Sequence, residues 1–182
     1  MTILYELRNH QKRHGKIQLV SREEAESMTG FISVCGYPTT TASLIQDQGG
    51  TFGLAHSLLY VDRVVLDFDD NDAAYTNSVK YCEDQDWSYT AYDTGNRGYH
   101  IHIPVEPYIE AGAHKRMERW VDQHFKGWDE SLYKSSSVTR IPGTWHSKTG
   151  RKMTITATHL GAVLPDIRNT KIAIPLDIPT IG

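Results

Sequence analysis

The chain has few cysteines, no long apolar run and no surplus of positive charge. Its 182 residues include 2 cysteines, and the formal net charge is −3 at pH 7. Two cysteines are too few for a disulfide framework or a cysteine-based zinc finger, and no apolar run approaches the roughly 20 residues of a membrane span. The N-terminus also lacks the basic-then-apolar pattern of a secretory signal. The low cysteine count and the lack of a membrane span or signal pattern predict a protein of the reduced cytoplasm with no membrane contact. The negative net charge argues against a protein that binds duplex nucleic acid broadly through positive charge.

Turn and capping residues divide the chain into short alternating elements. Residues 21–24 have the Ser-x-x-Glu form of a capping box, which predicts a helix starting near Ser21. We predict further helices at 72–84 and 110–125, and strands at 30–38, 58–69, 88–92, 99–105, 137–141 and 152–158, with Pro104 and Pro107 ending the strand that begins at 99. From residue 64 to 158 the order is β-α-β-β-α-β, which is typical of the split βαβ arrangement of ferredoxin-like or RRM-like folds. The fold class is therefore predicted as α+β.

Two carboxylates alternate with apolar residues in the run Leu66-Asp67-Phe68-Asp69. Residues i and i+2 of a strand point to the same face, so Asp67 and Asp69 are expected to project together while their neighbours face a core. Two converging carboxylates suit Mg²⁺ or Mn²⁺, which prefer oxygen ligands and leave coordination positions for phosphate. The alternative is a strand end that simply runs into an acidic loop.

A glycine-flanked turn carries Arg97 and leads into a strand with two histidines, in the segment TGNRGYHIH from residue 94 to 102. A guanidinium between two glycines can reach an anion without obstruction and binds phosphate oxygens bidentately. His100 and His102 share one face of the strand. We predict that His100 takes part in the chemistry, whereas a structural or supporting role is favoured for His102.

A third segment, from residue 128 to 150, contains Asp129, Arg140 and Lys148. Asp129 could complete a carboxylate triad, and the two cations could reach a triphosphate or a template. Lys148 also belongs to a local basic cluster with Arg151 and Lys152, which could guide a nucleic-acid strand or be plain solvated surface. The run lacks the residue order of a phosphate-binding P-loop, which argues against an ATP-driven helicase in this chain.

Taken in order, these segments resemble the signature of the archaeo-eukaryotic primase (AEP) superfamily, the primase-polymerases. That signature is an h-D-h-D strand, an S-x-H element usually written S-G-x-R-G-x-H, and a later h-D pair, where h is apolar. Asp67 and Asp69 match the first element, residues 94–100 match the second with threonine for serine at 94, and Asp129 matches the third. The R-x-P-G-T and K-T-G runs between 140 and 150 are similar to those of phage, plasmid and CRISPR-linked members. The resemblance covers roughly residues 30–155.

The resemblance implies a single AEP catalytic domain over residues 1–182. It would comprise an N-terminal α/β unit (about 1–62), an RRM-like module (about 63–160) and an irregular tail (161–182), with the active site between the first two. The resemblance further assigns two divalent ions, Mg²⁺ or Mn²⁺, to Asp67, Asp69 and Asp129. It assigns binding of the nucleotide phosphates to Thr94, Arg97 and His100, assisted by Arg140 and Lys148, and gives His100 a catalytic role as well.

The implied function is a template-directed DNA primase or polymerase that adds nucleotides to a 3′-hydroxyl in phage or mobile-element replication. Its partners would be single-stranded or primed DNA and dNTPs or rNTPs, in the host cytoplasm. The chain shows no zinc-binding cysteines and no helicase motif, so a separate helicase or accessory priming subunit would supply such parts. Primer extension is therefore favoured over de novo priming.

Three other functions stay open at this point. An end-joining repair polymerase has similar motifs but usually reads D-L-D-P where this chain has Asp67-Phe68-Asp69-Asp70. A non-catalytic RRM-like protein that binds single-stranded nucleic acid would need exposed aromatic side chains where the acidic pair lies. A phosphodiesterase using the two histidines would need a second histidine motif of matching form, which the sequence lacks.

Overall fold

The computed structural model describes residues 2–11, 16–51, 53–133, 137–165 and 167–168. The helices are α1 (Arg22–Glu26), α2 (Thr39–Gln48), α3 (Asp72–Asp84) and α4 (Ala113–His124). The strands are β1 (Ile3–Arg8), β2 (Gln18–Val20), β3 (Phe31–Ser33), β4 (Tyr37–Pro38), β5 (Leu58–Asp69), β6 (Tyr89–Asp93), β7 (Gly98–Ala111), β8 (Val138–Arg140) and β9 (Thr154–His159). Short 3-10 turns lie at Leu54–His56 and Glu130–Leu132. The predicted α+β class is confirmed.

The first sheet has the strand order β2-β1-β3-β8, with β4 also paired to β1. The strand predicted at 30–38 is broken into β3 and β4, both antiparallel to β1. The helix predicted at Ser21 forms as α1. Its capping box is complete, because the Ser21 side chain accepts from the Glu24 N–H and the Glu24 side chain accepts from the Ser21 N–H.

The second sheet has the order β5-β7-β6-β9 and is antiparallel at each pairing. β7 lies between β5 and β6, which are joined through α3, so this part of the predicted split βαβ arrangement is present. The last strand differs from that arrangement, since β9 pairs with β6 rather than with the free edge of β5. The strand predicted at 137–141 also forms, as β8, but it pairs with β3 in the first sheet.

The prediction that Pro104 and Pro107 end a strand is wrong. β7 runs through both prolines to Ala111, and α4 consequently begins at Ala113 rather than at 110. The register with β5 shifts here, because Arg63 pairs with Pro104 while Val61 pairs with Tyr108. Three residues of β7 therefore face one residue of β5, and Pro107 lies in this bulge, where a ladder N–H is not needed.

One apolar cluster connects the two sheets. It contains Val34, which follows β3, and Tyr37 of β4. These two residues pack with Leu66, Phe68 and Ile101 of the second sheet. The described start of the predicted tail is also ordered, since residue 164 forms a parallel bridge with Val105 and its leucine side chain is buried. The remainder of the tail, apart from residues 167 and 168, lies outside the described residues.

Both cysteines, Cys35 and Cys82, are free and buried, and burial raises the pKa of each thiol to about 12. Among the helices of the described ranges, none has the length and apolar character required to cross a membrane.

Candidate active site

The C-terminal end of β5 presents two carboxylates on one face of the second sheet. Leu66 and Phe68 have no exposed surface, while Asp67 is half-buried and Asp69 is exposed. The alternation follows from the strand pleat, which sends neighbouring side chains to opposite faces. Asp67 and Asp69 therefore lie together, as the sequence predicted.

Asp129 reaches the same place because the segment after α4 runs along the free edge of β5. The Asp129 N–H donates to the Asp67 carbonyl oxygen at 2.7 Å. Further along, the Tyr133 hydroxyl donates to the Val65 carbonyl oxygen and accepts from the Val65 N–H at 2.9 Å. These bonds hold the segment in register with the strand. Carboxylate oxygens of Asp67, Asp69 and Asp129 lie within 4.8 Å of one another.

The three carboxylates repel one another. The pKa of Asp69 is raised by burial and then by the charges of Asp67 and Asp129. The Oδ1 atom of Asp67 is buried and accepts no hydrogen bond from the described residues, although His100 Nε2 lies 3.4 Å away. A buried carboxylate oxygen without a donor, beside two further carboxylates, is an oxygen donor set that fits a divalent cation such as Mg²⁺ or Mn²⁺.

His100 lies directly opposite Asp67 in the pairing of β5 with β7. Its Nε2 faces Asp67, and its Nδ1 lies 3.5 Å from the Thr139 hydroxyl on β8. The side chain is largely buried, yet it lines the cavity that contains the three carboxylates. The imidazole is therefore positioned between the carboxylates and the first sheet.

The turn between β6 and β7 is packed too closely for side chains at its glycines. A Cβ on Gly98 would lie 2.7 Å from the Phe68 carbonyl oxygen, and one on Gly95 would lie 2.7 Å from the Arg151 carbonyl oxygen. Gly95 also has φ +89°, which favours glycine. The Thr94 hydroxyl donates to the Gly98 carbonyl oxygen at 3.1 Å, so it closes the turn.

Two arginines extend this site in different ways. Arg97 is exposed, lies 3.5 Å from the Asp70 carboxylate and lines the cavity. Arg140 comes from β8 of the first sheet, and its Nη1 donates to the Thr94 carbonyl oxygen at 2.9 Å. Burial lowers the pKa of Arg140, while Asp67 and Asp69 raise it. The guanidinium thus joins the two sheets at the cavity.

The cavity has a volume of about 540 Å³ and lies between the two sheets. It is lined by every predicted site residue except Lys148, which is exposed in a neighbouring turn. Side chains that sequence analysis missed also line it: Arg8, Phe31, Thr139 and His146. Arg8 and Phe31 belong to the first sheet and carry no catalytic motif, so only the pairing of β1 with β3 and of β3 with β8 brings them near the carboxylates.

His102 does not line this cavity. Its ring is buried, both ring nitrogens lack a hydrogen-bond partner among the described residues, and burial lowers its pKa well below the usual value for histidine. It faces a separate cavity of about 250 Å³ between α1, β3 and β7. The two rings share one face of β7, as the sequence predicted, with centroids 6.2 Å apart, but only His100 lines the cavity that contains the carboxylates.

Comparisons with known proteins agree with this geometry at the level of the fold. No protein-family model matches the chain, and no curated protein matches it. The structure is similar to the AEP domain of the primase-polymerase of cyanophage S-2L, with a TM-score of 0.53 and 19% sequence identity, over 92% of this chain and 85% of that domain. The chain therefore has an AEP-like fold.

Proposed function

We propose that this chain is a template-directed nucleotidyltransferase, a primase-polymerase that adds nucleotides to the 3′-hydroxyl of a DNA primer. The observation that carries the proposal is the meeting of Asp67, Asp69 and Asp129 at one cavity with His100 and two arginines. The similarity to a cyanophage primase-polymerase domain supports it at the level of the fold. The role would be DNA replication of a phage or mobile element, in the host cytoplasm.

In this proposal the carboxylates hold two divalent ions, and those ions supply charge neutralisation for the attacking hydroxyl and the leaving pyrophosphate. The protein positions the remaining groups. Arg97 and Arg140 bind the triphosphate from two sides, and His100 contributes a ring nitrogen between the phosphates and the carboxylates. Positioning and electrostatic stabilisation would account for most of the acceleration. Thr94 acts through its backbone and its turn-closing hydroxyl, and Lys148 would reach the phosphates only after its turn moves.

The site disfavours two of the three other candidate functions, the RRM-like binder and the phosphodiesterase. An RRM-like binder stacks bases on aromatic side chains of its sheet, whereas the corresponding face here carries Asp67, Asp69 and His100. A phosphodiesterase with paired histidines would need both rings at one site, and His102 faces a separate cavity. An end-joining repair polymerase would share the chemistry, and the choice of DNA substrate would separate it from a replicative enzyme.

The direct test is incorporation of nucleotides by the purified protein. A labelled primer on a DNA template, with Mn²⁺ or Mg²⁺ and with dNTPs and rNTPs offered separately, should be extended. An Asp67→Asn/Asp69→Asn variant should fold but lose extension by at least about 100-fold, as expected for loss of electrostatic stabilisation. Asp84→Asn on α3 is the matched control, because it removes an exposed carboxylate paired with Lys80.

Equal extension by the Asp67→Asn/Asp69→Asn variant would contradict the metal assignment. Tight binding of single-stranded DNA without extension, with either metal and on every template, would support the non-catalytic alternative instead. An unprimed template in the same assay separates de novo priming from primer extension. Adding a helicase or an accessory priming subunit would test whether initiation requires a partner.

A further inference from the structure

A hairpin between β8 and β9 carries an exposed tryptophan beside the candidate active site. Trp145 has 59% of its surface exposed, whereas Trp120 and Trp128 are buried and Trp87 is half-buried. An indole ring has a large flat apolar surface on which another ring can stack. On this hairpin that surface is available to a partner.

The hairpin holds this ring in a defined place. Trp145 forms an antiparallel bridge with Lys152, and the His146 N–H donates to the Arg151 carbonyl oxygen at 2.8 Å. The Lys152 ammonium lies 4.8 Å from the centroid of the Trp145 ring, within the range of a cation–π contact. A ring on an ordered backbone loses little conformational freedom when a partner stacks on it.

The same hairpin packs on the turn that would bind the nucleotide. The Thr149 hydroxyl donates to the Gly95 carbonyl oxygen, and His146, the neighbour of Trp145, lines the active-site cavity. A strand that leaves the cavity on this side would pass over the hairpin that carries Trp145. The hairpin therefore places the Trp145 ring on the side of the cavity where a nucleic-acid strand could enter or leave.

Three exposed cations, Lys148, Arg151 and Lys152, lie on the same hairpin as the exposed ring. Lys152 contacts the ring, and Arg151 lies 3.6 Å from the Asp93 carboxylate. An aromatic ring flanked by cations has the chemistry for an unpaired nucleic-acid strand, because bases stack on the ring and phosphates pair with the cations. A protein partner that binds Trp145 and these cations would have to offer acidic groups and an apolar pocket side by side, whereas every unpaired nucleic-acid strand already has both phosphates and bases.

We propose that Trp145 and the flanking cations bind the unpaired template strand of DNA by stacking one base on the indole ring. That the bound strand is a DNA template rests on the proposed polymerase function, since the aromatic ring and the cations by themselves indicate an unpaired nucleic-acid strand. It adds a DNA-binding surface outside the carboxylate cluster, and Lys148 is the one residue that this surface shares with the predicted nucleotide-binding groups.

Binding is measured in EDTA, without nucleotide, by fluorescence anisotropy of a labelled single-stranded DNA oligonucleotide. Trp145→Leu should weaken binding about 5- to 100-fold, the range expected for loss of one base–aromatic stack. Trp145→Tyr should retain most of the affinity because it keeps an aromatic face. Lys152→Gln should weaken binding and reduce its salt dependence, whereas Lys80→Gln on α3, which removes the same charge elsewhere, should leave binding unchanged.

The intrinsic fluorescence of Trp145 gives a second readout. Single-stranded DNA should quench the exposed tryptophan of the native protein and should not quench the emission that remains in Trp145→Leu. Unchanged affinity of Trp145→Leu, or a preference for a blunt duplex over the single strand, would overturn the inference. If the protein binds DNA through Trp145 but never extends a primer, the polymerase proposal fails while this surface stands. If it extends primers and Trp145→Leu binds normally, the reverse holds.

Discussion

At the residue scale, the candidate site crowds three carboxylates together, and burial followed by the charges of Asp67 and Asp129 raises the pKa of Asp69. The raised pKa of Asp69 means that the folded protein holds this proton more tightly than the unfolded chain does. The stabilising contribution of the group is thus present below the ordinary pKa of aspartate and is lost as pH rises through the raised value. At neutral pH without metal, the charged Asp69 destabilises the fold.

Replacing Asp69 with asparagine should relieve this repulsion. In EDTA at neutral pH, we expect Asp69→Asn to raise Tm by roughly 1–3 °C, a small effect because the group is partly exposed to solvent. The difference should vanish at a pH below the ordinary pKa of aspartate, where the native side chain is also neutral. Mn²⁺ should stabilise the native protein but not the variant. A variant that is less stable than the native protein in EDTA would contradict the electrostatic account.

Some residues of the candidate site could be predicted from their neighbours in sequence, and others could not. Asp67 and Asp69 were predictable because strand alternation is a property of neighbouring residues. Asp129 and Arg140 were candidates whose roles came from the resemblance, and their placement at the site depends on hydrogen bonds across 62 and 46 residues of chain. Phe31 was predicted only as part of a strand, and Arg8 had no predicted role.

At the element scale, the segment from Trp128 to Tyr133 positions the third carboxylate. The Tyr133 hydroxyl binds both backbone groups of Val65, so it fastens this segment to the free edge of β5. Removing the hydroxyl leaves a buried N–H and a buried carbonyl without their partner. Such a loss costs about 1–3 kcal/mol.

Tyr133→Phe should therefore lower the free energy of unfolding by about that amount, measured by urea denaturation. It should also weaken Mn²⁺ binding, measured by calorimetry, although every carboxylate remains. Tyr89→Phe is the matched control, because that hydroxyl donates to Glu83 on α3 and not to the site segment. Reduced stability with unchanged Mn²⁺ affinity would show that the segment does not depend on Tyr133 for its position.

The two prolines of β7 show why the end of this strand could not be predicted from the proline positions alone. Pro104 and Pro107 predict the end of a strand because each lacks an N–H. The β-bulge between β5 and β7 removes that requirement at Pro107, while Pro104 stays in register opposite Arg63 and its carbonyl oxygen accepts from the Leu164 N–H at 3.1 Å. Whether a proline ends a strand was therefore decided by the neighbouring strand and not by the proline.

At the scale of the whole molecule, the two sheets share one apolar cluster and one candidate site. β8 lies between the motifs of the second sheet in sequence but pairs with β3 of the first, which brings Arg140 to the carboxylates. We predict that the chain unfolds as one cooperative unit, because the larger apolar cluster contains buried side chains from both sheets and β8 pairs with the first sheet.

A fragment starting at residue 53 tests this prediction. It lacks β1 and β3, so β8 loses its partner and the shared core loses Val34 and Tyr37. We expect no cooperative thermal transition from the fragment. A chain of residues 1–168 should unfold cooperatively and gain about 2.7 kcal/mol of stability when Mn²⁺ is 100-fold above its Kd. Cooperative, Mn²⁺-dependent unfolding of the fragment would instead identify the second sheet as a separate domain.

The features that the sequence determined by itself depend on interactions between neighbouring residues. Pleat alternation, capping and glycine-flanked turns each involve residues only a few positions apart, so the acidic strand, the turn between β6 and β7 and most helices were predictable. Tertiary structure decided the rest: the sheet that β8 joins, the edge that β9 takes, and the exclusion of His102 from the site. Those outcomes depend on which distant surfaces bury each other, and no pattern of neighbouring residues encodes that choice.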